Sequence, residues 1–387
     1  MAITSVVSPA VLNFAGNPII VKATTDKTID TEKGESFLRI VCEVEVEDET
    51  YKDYNLKLEL SQPVADKGTA VFNLSDAFQS VINRRQMDID MNADGTDVTA
   101  CFDTKICVMA YVKVYDVYLL DNHEVKSKEE VVYPAMNVNH IYAVPGRLTD
   151  FEMLTFPNIL LETLSNGKSM SRKPDMGIVY KGETIIVPVV NGSGSPTSRM
   201  EVSVGGTTVA TRSDTLSHYS LEHQYLTVNA ATEGELAVSN TRGGTKQGYY
   251  RTNPHGVHFL RFINGFGAVE NISVRSKDKL SYEVSGETHS LVQEATTRPT
   301  DRRYATKSQP VGVYELSSGY VPQRWAEWYV QELLTSPRVW IQLGGRWVPA
   351  LIEAEDDCVI YDRTKPEMPH VDFTLRLAID GVTGVTW

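Results

Sequence analysis

A mainly β chain, built as two β-sandwich-like domains followed by a C-terminal helix and β-hairpin module, is what this sequence predicts. Three observations carry that expectation. Apolar and polar residues alternate at period two in many short runs, clusters of Gly, Asn, Asp and Ser separate those runs, and only two stretches space their apolar residues as a helix would.

Taken in order, Cys42-Glu43-Val44-Glu45-Val46-Glu47 alternates acid with apolar, which turns Val44 and Val46 to a core and the glutamates to water. Strands are expected at 55–60, 105–120, 177–190, 199–210, 258–264 and 268–275, all rich in Val, Ile, Tyr and Thr. Turn-forming clusters such as Asn191-Gly192-Ser193-Gly194-Ser195-Pro196 punctuate them. In the first helical stretch Ser75 is placed to cap, and Leu74, Phe78, Val81 and Ile82 share one face. The second runs from about Pro322 to Leu334, where Trp325, Trp328, Tyr329 and Leu333 recur at spacings of three and four before Pro337 limits it. Two apolar runs around Gly344-Gly345, Val339–Leu343 and Arg346–Ile352, read as a tight hairpin, because the favoured two-residue turns need positive φ. Phe373–Ala378 supplies a last alternating strand.

These elements divide into a first domain over 1–145, a second β-rich domain over 146–292, a polar arm or linker over 293–321, and a C-terminal module over 322–387. The arm owes its reading to the polar stretch Gln293–Gln309, with Thr-Thr-Arg-Pro-Thr-Asp-Arg-Arg at 296–303. With few apolar residues it is expected to order against another chain or domain, through Arg298, Arg302, Arg303 and Tyr304. No fixed-period repeat is present.

The charge balance narrows the function. The 387 residues carry 37 Lys+Arg against 50 Asp+Glu, a formal charge of -13, which argues against nucleic-acid binding because phosphate neutralisation needs a basic face. No basic region precedes the apolar residues of Met1–Gly16, and no run approaches the roughly 18 apolar residues that span a bilayer, so neither secretion nor a membrane partner is expected. Cys42, Cys101, Cys107 and Cys358 are too scattered for a disulfide framework or a metal site and are expected reduced and mostly buried.

Chemistry-bearing motifs are weak. Asp90-Met-Asn92-Ala-Asp94-Gly95 matches the opening of a calcium loop, but the twelfth position, normally a bidentate Glu, is Cys101, so an Asx-rich turn is the stronger reading. Of the eight histidines only His218 with His223 and His255 with His258 lie close together, at spacings that suit neither strand nor helix ligation, and surface or turn positions are expected for them. There is no Gly-x-Ser-x-Gly elbow, Gly205-Gly206 and Gly265-Phe266-Gly267 precede no helix, and Glu353, Glu355, Asp356 and Asp357 read as a solvated acidic face. The expectation is therefore no catalytic, cofactor or metal residue, no cofactor and no enzyme activity. Trp325, Trp328, Trp340 and Trp347 are expected to form one buried core; the competing reading is an outward aromatic platform for sugar rings.

Three stretches resemble tail proteins encoded by phages and prophages of the Bacteroidetes. They are Ser8–Ile19 with Phe72–Phe78 downstream, Phe262–Asn271, and Trp325–Tyr329 with Leu333–Ser336 and Trp347–Ile352. The closing elements also look like the end of the distal tail protein family, although the N-terminal module is longer than is usual there. The resemblance implies a non-enzymatic structural component of a tail tip or baseplate, placed in the virion and assembled in the bacterial host cytoplasm. It implies oligomeric ring packing, with other copies of the chain and neighbouring tail proteins as partners. The alternative within the same setting is a carbohydrate- or receptor-binding adhesin whose partner is a host surface glycan.

Overall fold

The computed structural model describes residues 3–47, 56–87, 107–134, 140–155, 169–191, 197–215, 220–241, 244–284, 288–290, 303–305, 310–354 and 368–378. The chain is mainly β, 58% strand against 11% helix, as the period-two runs require. Among the described residues no helix is long and apolar enough to cross a membrane.

The first unit holds β1 (Ile3–Val7), β2 (Leu12–Phe14), β3 (Ile20–Thr25), β4 (Glu35–Val46), β5 (Leu56–Pro63) and β6 (Thr69–Asn73), then helix α1 (Ser75–Met87). It closes with β7 (Val108–Leu120), β8 (His123–Lys126), β9 (Glu130–Val131) and β10 (His140–Val144). A three-stranded sheet, β1-β3-β6, faces a larger one ordered β2-β10-β7-β4-β5, with β8 and β9 added to β7. The alternation in β4 does what the sequence implies, since Val44 and Val46 are fully buried. Ser75 opens α1 rather than preceding it, and the side chain that holds the helix start is Asn73, whose Oδ1 accepts from the Ser75 amide (3.2 Å) and from Ile19 N (3.0 Å).

After a short helix α2 (Asp150–Thr155), the second unit contains β11 (Gly177–Tyr180), β12 (Thr184–Asn191), β13 (Thr197–Val204), β14 (Thr207–Thr215), β15 (Ser220–Thr227), β16 (Gly234–Asn240) and β17 (Gly244–Arg251). A five-stranded sheet β11-β17-β16-β13-β14 packs against the pair β12-β15. Two runs expected as single strands are each two: 177–190 turns at Gly182 (φ +84°), and 199–210 turns at Gly205-Gly206 (φ +56° and +79°). The same pair of angles recurs at Gly344-Gly345, where the sequence does announce a hairpin.

The third unit is a closed six-stranded barrel, and it corrects the expected division of the chain. Its strands are β18 (Val257–Ile263), β19 (Val269–Val284), β22 (Pro310–Ser317), β23 (Val339–Leu343), β24 (Arg346–Ala354) and β25 (Asp372–Leu377), in the order β18-β19-β22-β25-β24-β23. β18 and β19, expected in the second domain, belong here instead. A helix with three strands cannot enclose a core, and Leu260, Phe262, Ile272 and Val274 complete the one formed with Ile341, Leu375 and Leu377. Nor is 293–321 a linker. Part of it lies in β22 and part in β21 (Arg303–Ala305), which pairs with β20 (Thr288–Ser290) in a two-stranded sheet of its own. Helix α3 (Gln323–Trp328) runs into a π-turn over Tyr329–Leu333, wider than the α-helix that the spacing predicts.

Gly146 (φ +87°) marks where the first sandwich meets the barrel: a Cβ there would stand 2.1 Å from the Phe266 carbonyl carbon, so only glycine allows the approach. Arg147 N then donates to Gly265 O at 2.9 Å.

Candidate functional site

A cluster of charged and polar side chains lies at that meeting point, and it is built on Arg172. Its Nε and one terminal nitrogen grip Glu152 of α2 at 2.7 and 2.6 Å, and the other reaches Glu332 of the π-turn at 2.6 Å. The second oxygen of Glu332 accepts from Gly265 N at 2.6 Å. The guanidinium plane lies 3.8 Å over the Phe266 ring, which itself stacks on Phe14 at 5.5 Å. One cation thus ties the connector after the first sandwich to the barrel mouth. Burial raises the Glu332 carboxyl above its ordinary value, with Arg172 opposing the shift. Burial also works against a charged Glu152, but Arg172 and Thr149 outweigh it and hold that carboxyl low.

A second group of buried and half-buried polar side chains sits between the second sandwich and the barrel. Lys173 Nζ donates to Asn271 O (3.1 Å), Lys246 Nζ to Lys173 O (2.8 Å), and Asn271 Nδ2 to Thr184 O (2.6 Å). Burial pushes Glu183 up to about 7 and Lys246 down to about 8. Beside them is a cleft of about 430 Å³ lined by Tyr180, Glu183, Arg275, Tyr320, Trp325 and Tyr329. Glu183 is the acid here that exchanges a proton near neutrality, yet one of its oxygens takes Tyr180 N at 3.0 Å and the carboxylate also meets Ser273. Its geometry is that of a holding group.

A pH dependence follows. The folded chain keeps a proton on Glu183 up to about pH 7, whereas the unfolded carboxyl releases it near 4.5, so this group lowers stability as pH rises through that window, by about 3 kcal/mol. Glu183→Gln is expected to gain on the parent by that amount between pH 5 and 8 in urea titrations; parallel profiles would contradict it.

The residues singled out by sequence are dispersed. Asp90, Asn92, Asp94 and Cys101 lie outside the described residues, as do Cys358, His218, the Gly192–Ser195 run, Glu355–Asp357 and most of Gln293–Gln309. Cys42 and Cys107 are buried and reduced. His123, His255 and His370 are exposed, but His223 is not the surface histidine expected: it is buried and accepts from Val269 N at 2.9 Å through Nε2. Among the described residues no group of three or more His, Cys, Asp or Glu could hold a metal ion.

Trp325, Trp328, Trp340 and Trp347 are all buried, although they form two cores, not one. Trp325 and Trp328, edge to face at 5.3 Å, belong to the barrel core. Trp340 and Trp347 occupy the outer barrel face, since Trp340 pairs with Arg261 and Trp347 with Gln342, and they join the core shared with the sandwiches. Arg172, Glu152, Glu183 and Glu332 are not among the residues singled out by sequence. Only Glu332 leaves a trace there, an acid on the apolar stripe Trp325, Trp328, Tyr329, Leu333.

No family model matches the chain, and no curated protein matches it. Similar solved structures include trypsin-activated alpha-2-macroglobulin from Escherichia coli, at 9% identity and a TM-score of 0.22 over 97% of this chain and 21% of that one. The CupB2 chaperone of Pseudomonas aeruginosa gives 10% and 0.16 over 64% of this chain and 100% of that one. The native conformation of the E. coli alpha-2-macroglobulin gives 9% and 0.20 over 96% and 22%. The chain spans about a fifth of the length of the alpha-2-macroglobulins, and likeness at such scores carries no argument.

Proposed function

We propose that the chain is a non-enzymatic structural component of a phage tail tip or baseplate, acting through interfaces with other copies of itself in a ring and with neighbouring tail proteins. The observation that supports this most is the hairpin β19–β22. A closed barrel has no strand edge to offer a partner. The pairing of this hairpin runs on to Val284 with Pro310, past Val313, the first residue of β22 that pairs with β25, and the β20–β21 pair, Thr288–Ser290 with Arg303–Ala305, follows farther along the same two segments. Among the described residues β20 and β21 pair only with each other, so their outer edges can take a strand from another chain. The burial of Trp325, Trp328, Trp340 and Trp347 favours this reading over a glycan-binding adhesin, which needs such rings exposed on one face.

Replacing 285–309 by a two-residue turn tests it. The shortened chain should melt at the parental temperature and sediment as a smaller species than the parent, which should form closed assemblies. A parent that is monomeric throughout, or a shortened chain that assembles unchanged, would overturn the proposal.

A further inference from the structure

We infer that β5 is a self-complementary docking edge, through which two copies of the chain pair about a two-fold axis at Leu58 into one continuous sheet. β5 is the last strand of its sheet, ordered β2-β10-β7-β4-β5, and its register with β4 over eight residues has no bulge. The facing sheet has three strands against seven, and along β5 the cover reaches Leu60, which packs against the core. Leu56 and Leu58, which should be covered on this face, are 42% and 36% exposed, while their partners across β4, Val46 and Val44, are fully buried. Natural edges are blunted by proline, bulges or charges turned inward; here Pro63 stands at the far end, and the charges lie on the opposite face from the leucines.

The occupant follows from the pattern Leu56-Lys57-Leu58-Glu59-Leu60, which reads the same in both directions except that its two charges are opposite. In an antiparallel pair centred on Leu58, Leu58 faces Leu58 of the second copy and Leu56 faces Leu60. Lys57 then faces Glu59, twice. A two-fold axis perpendicular to the sheet keeps each face on its own side, so the leucine row becomes continuous and the charged row does too.

The charges within one chain support the same partner. Glu59 lies directly across from Glu43, a like-charge pair at the register position where such pairs are unfavourable, and Glu43 is served by Lys113 from β7 (3.9 Å). Lys57 lies across from Glu45 and reaches it at 2.9 Å. With the second copy docked, the row Lys113, Glu43, Glu59 acquires Lys57 of that copy on its open side, which relieves the Glu43–Glu59 repulsion. The contact is isologous and so differs from the head-to-tail contacts of a ring; it stands whether or not the ring reading does.

Charge exchange tests it in the full chain, by sedimentation velocity over a concentration series. Glu59→Lys places a lysine against Lys57 of the other copy while removing the repulsion from Glu43, so the fold should melt no lower than the parent and the association should weaken about tenfold or more. Lys57→Glu alone should weaken it similarly, because both charges on its edge are then acidic. In an equimolar mixture the wholly acidic edge of one variant meets the wholly basic edge of the other, so both facing pairs are again of opposite sign and the parental association should return. A parent that never self-associates, single variants that associate as the parent does, or a mixture that fails to re-form would each overturn the inference.

Discussion

Trp340→Ala is expected to destabilise the chain by about 3–5 kcal/mol, the cost of truncating a fully packed aromatic. Trp340 is 7% exposed although it points away from the barrel interior, because the outer face of β23 is covered. It pairs with Pro349 and Arg261 across its neighbouring strands, and the Arg338 guanidinium lies 5.2 Å from its ring. The core it joins includes Phe14, Tyr225 and Phe266, from the first sandwich, the second sandwich and the barrel. The alanine variant therefore loosens a joint between units as well as leaving a cavity, and a broadened or split thermal transition should accompany the loss. Unchanged stability with loss of sugar binding alone would instead favour an aromatic platform.

Acid is expected to unfold the protein largely through His223. Burial depresses this imidazole from 6.5 to about 3, and its Nε2 must stay unprotonated to accept from Val269 N at the start of β19. Between those values the unfolded chain binds the proton and the folded one does not, so stability is lost as pH falls from about 6.5 toward 3, by about 5 kcal/mol in full. Glu183 acts with the opposite sign between about 7 and 4.5, which makes the net profile shallow at first and steep below pH 4.5. His223→Gln, whose amide oxygen can accept the same bond, should move the acid limb of the urea midpoint to lower pH. An unmoved limb would show that the burial of this ring is not what acid attacks.

Strand content was legible because period-two alternation and turn chemistry are local signals, and β4 shows how directly they act: Val44 and Val46 are inside, alternating with the acids Glu43, Glu45 and Glu47. Unit boundaries were not legible. Whether β18 and β19 close a sandwich or a barrel depends on pairing with strands far along the chain, as in Leu260 with Ile341, and no local pattern encodes that partner. The polar composition of 293–309 pointed to a linker, whereas Arg303–Ala305 within it pair as β21 with β20. Arg172 was invisible for a related reason. Its partners Glu152 and Glu332 are 20 and 160 residues distant, and a surface arginine looks identical in sequence until the fold brings the acids to it.

Cryo-electron microscopy of the concentrated full chain tests most directly whether it is an assembly protein. Closed rings are expected, in which the β19–β22 hairpin of each copy reaches the next and its β20–β21 pair is covered by that neighbour. Single, separate copies at every concentration, or rings that leave the hairpin uncovered, would contradict it.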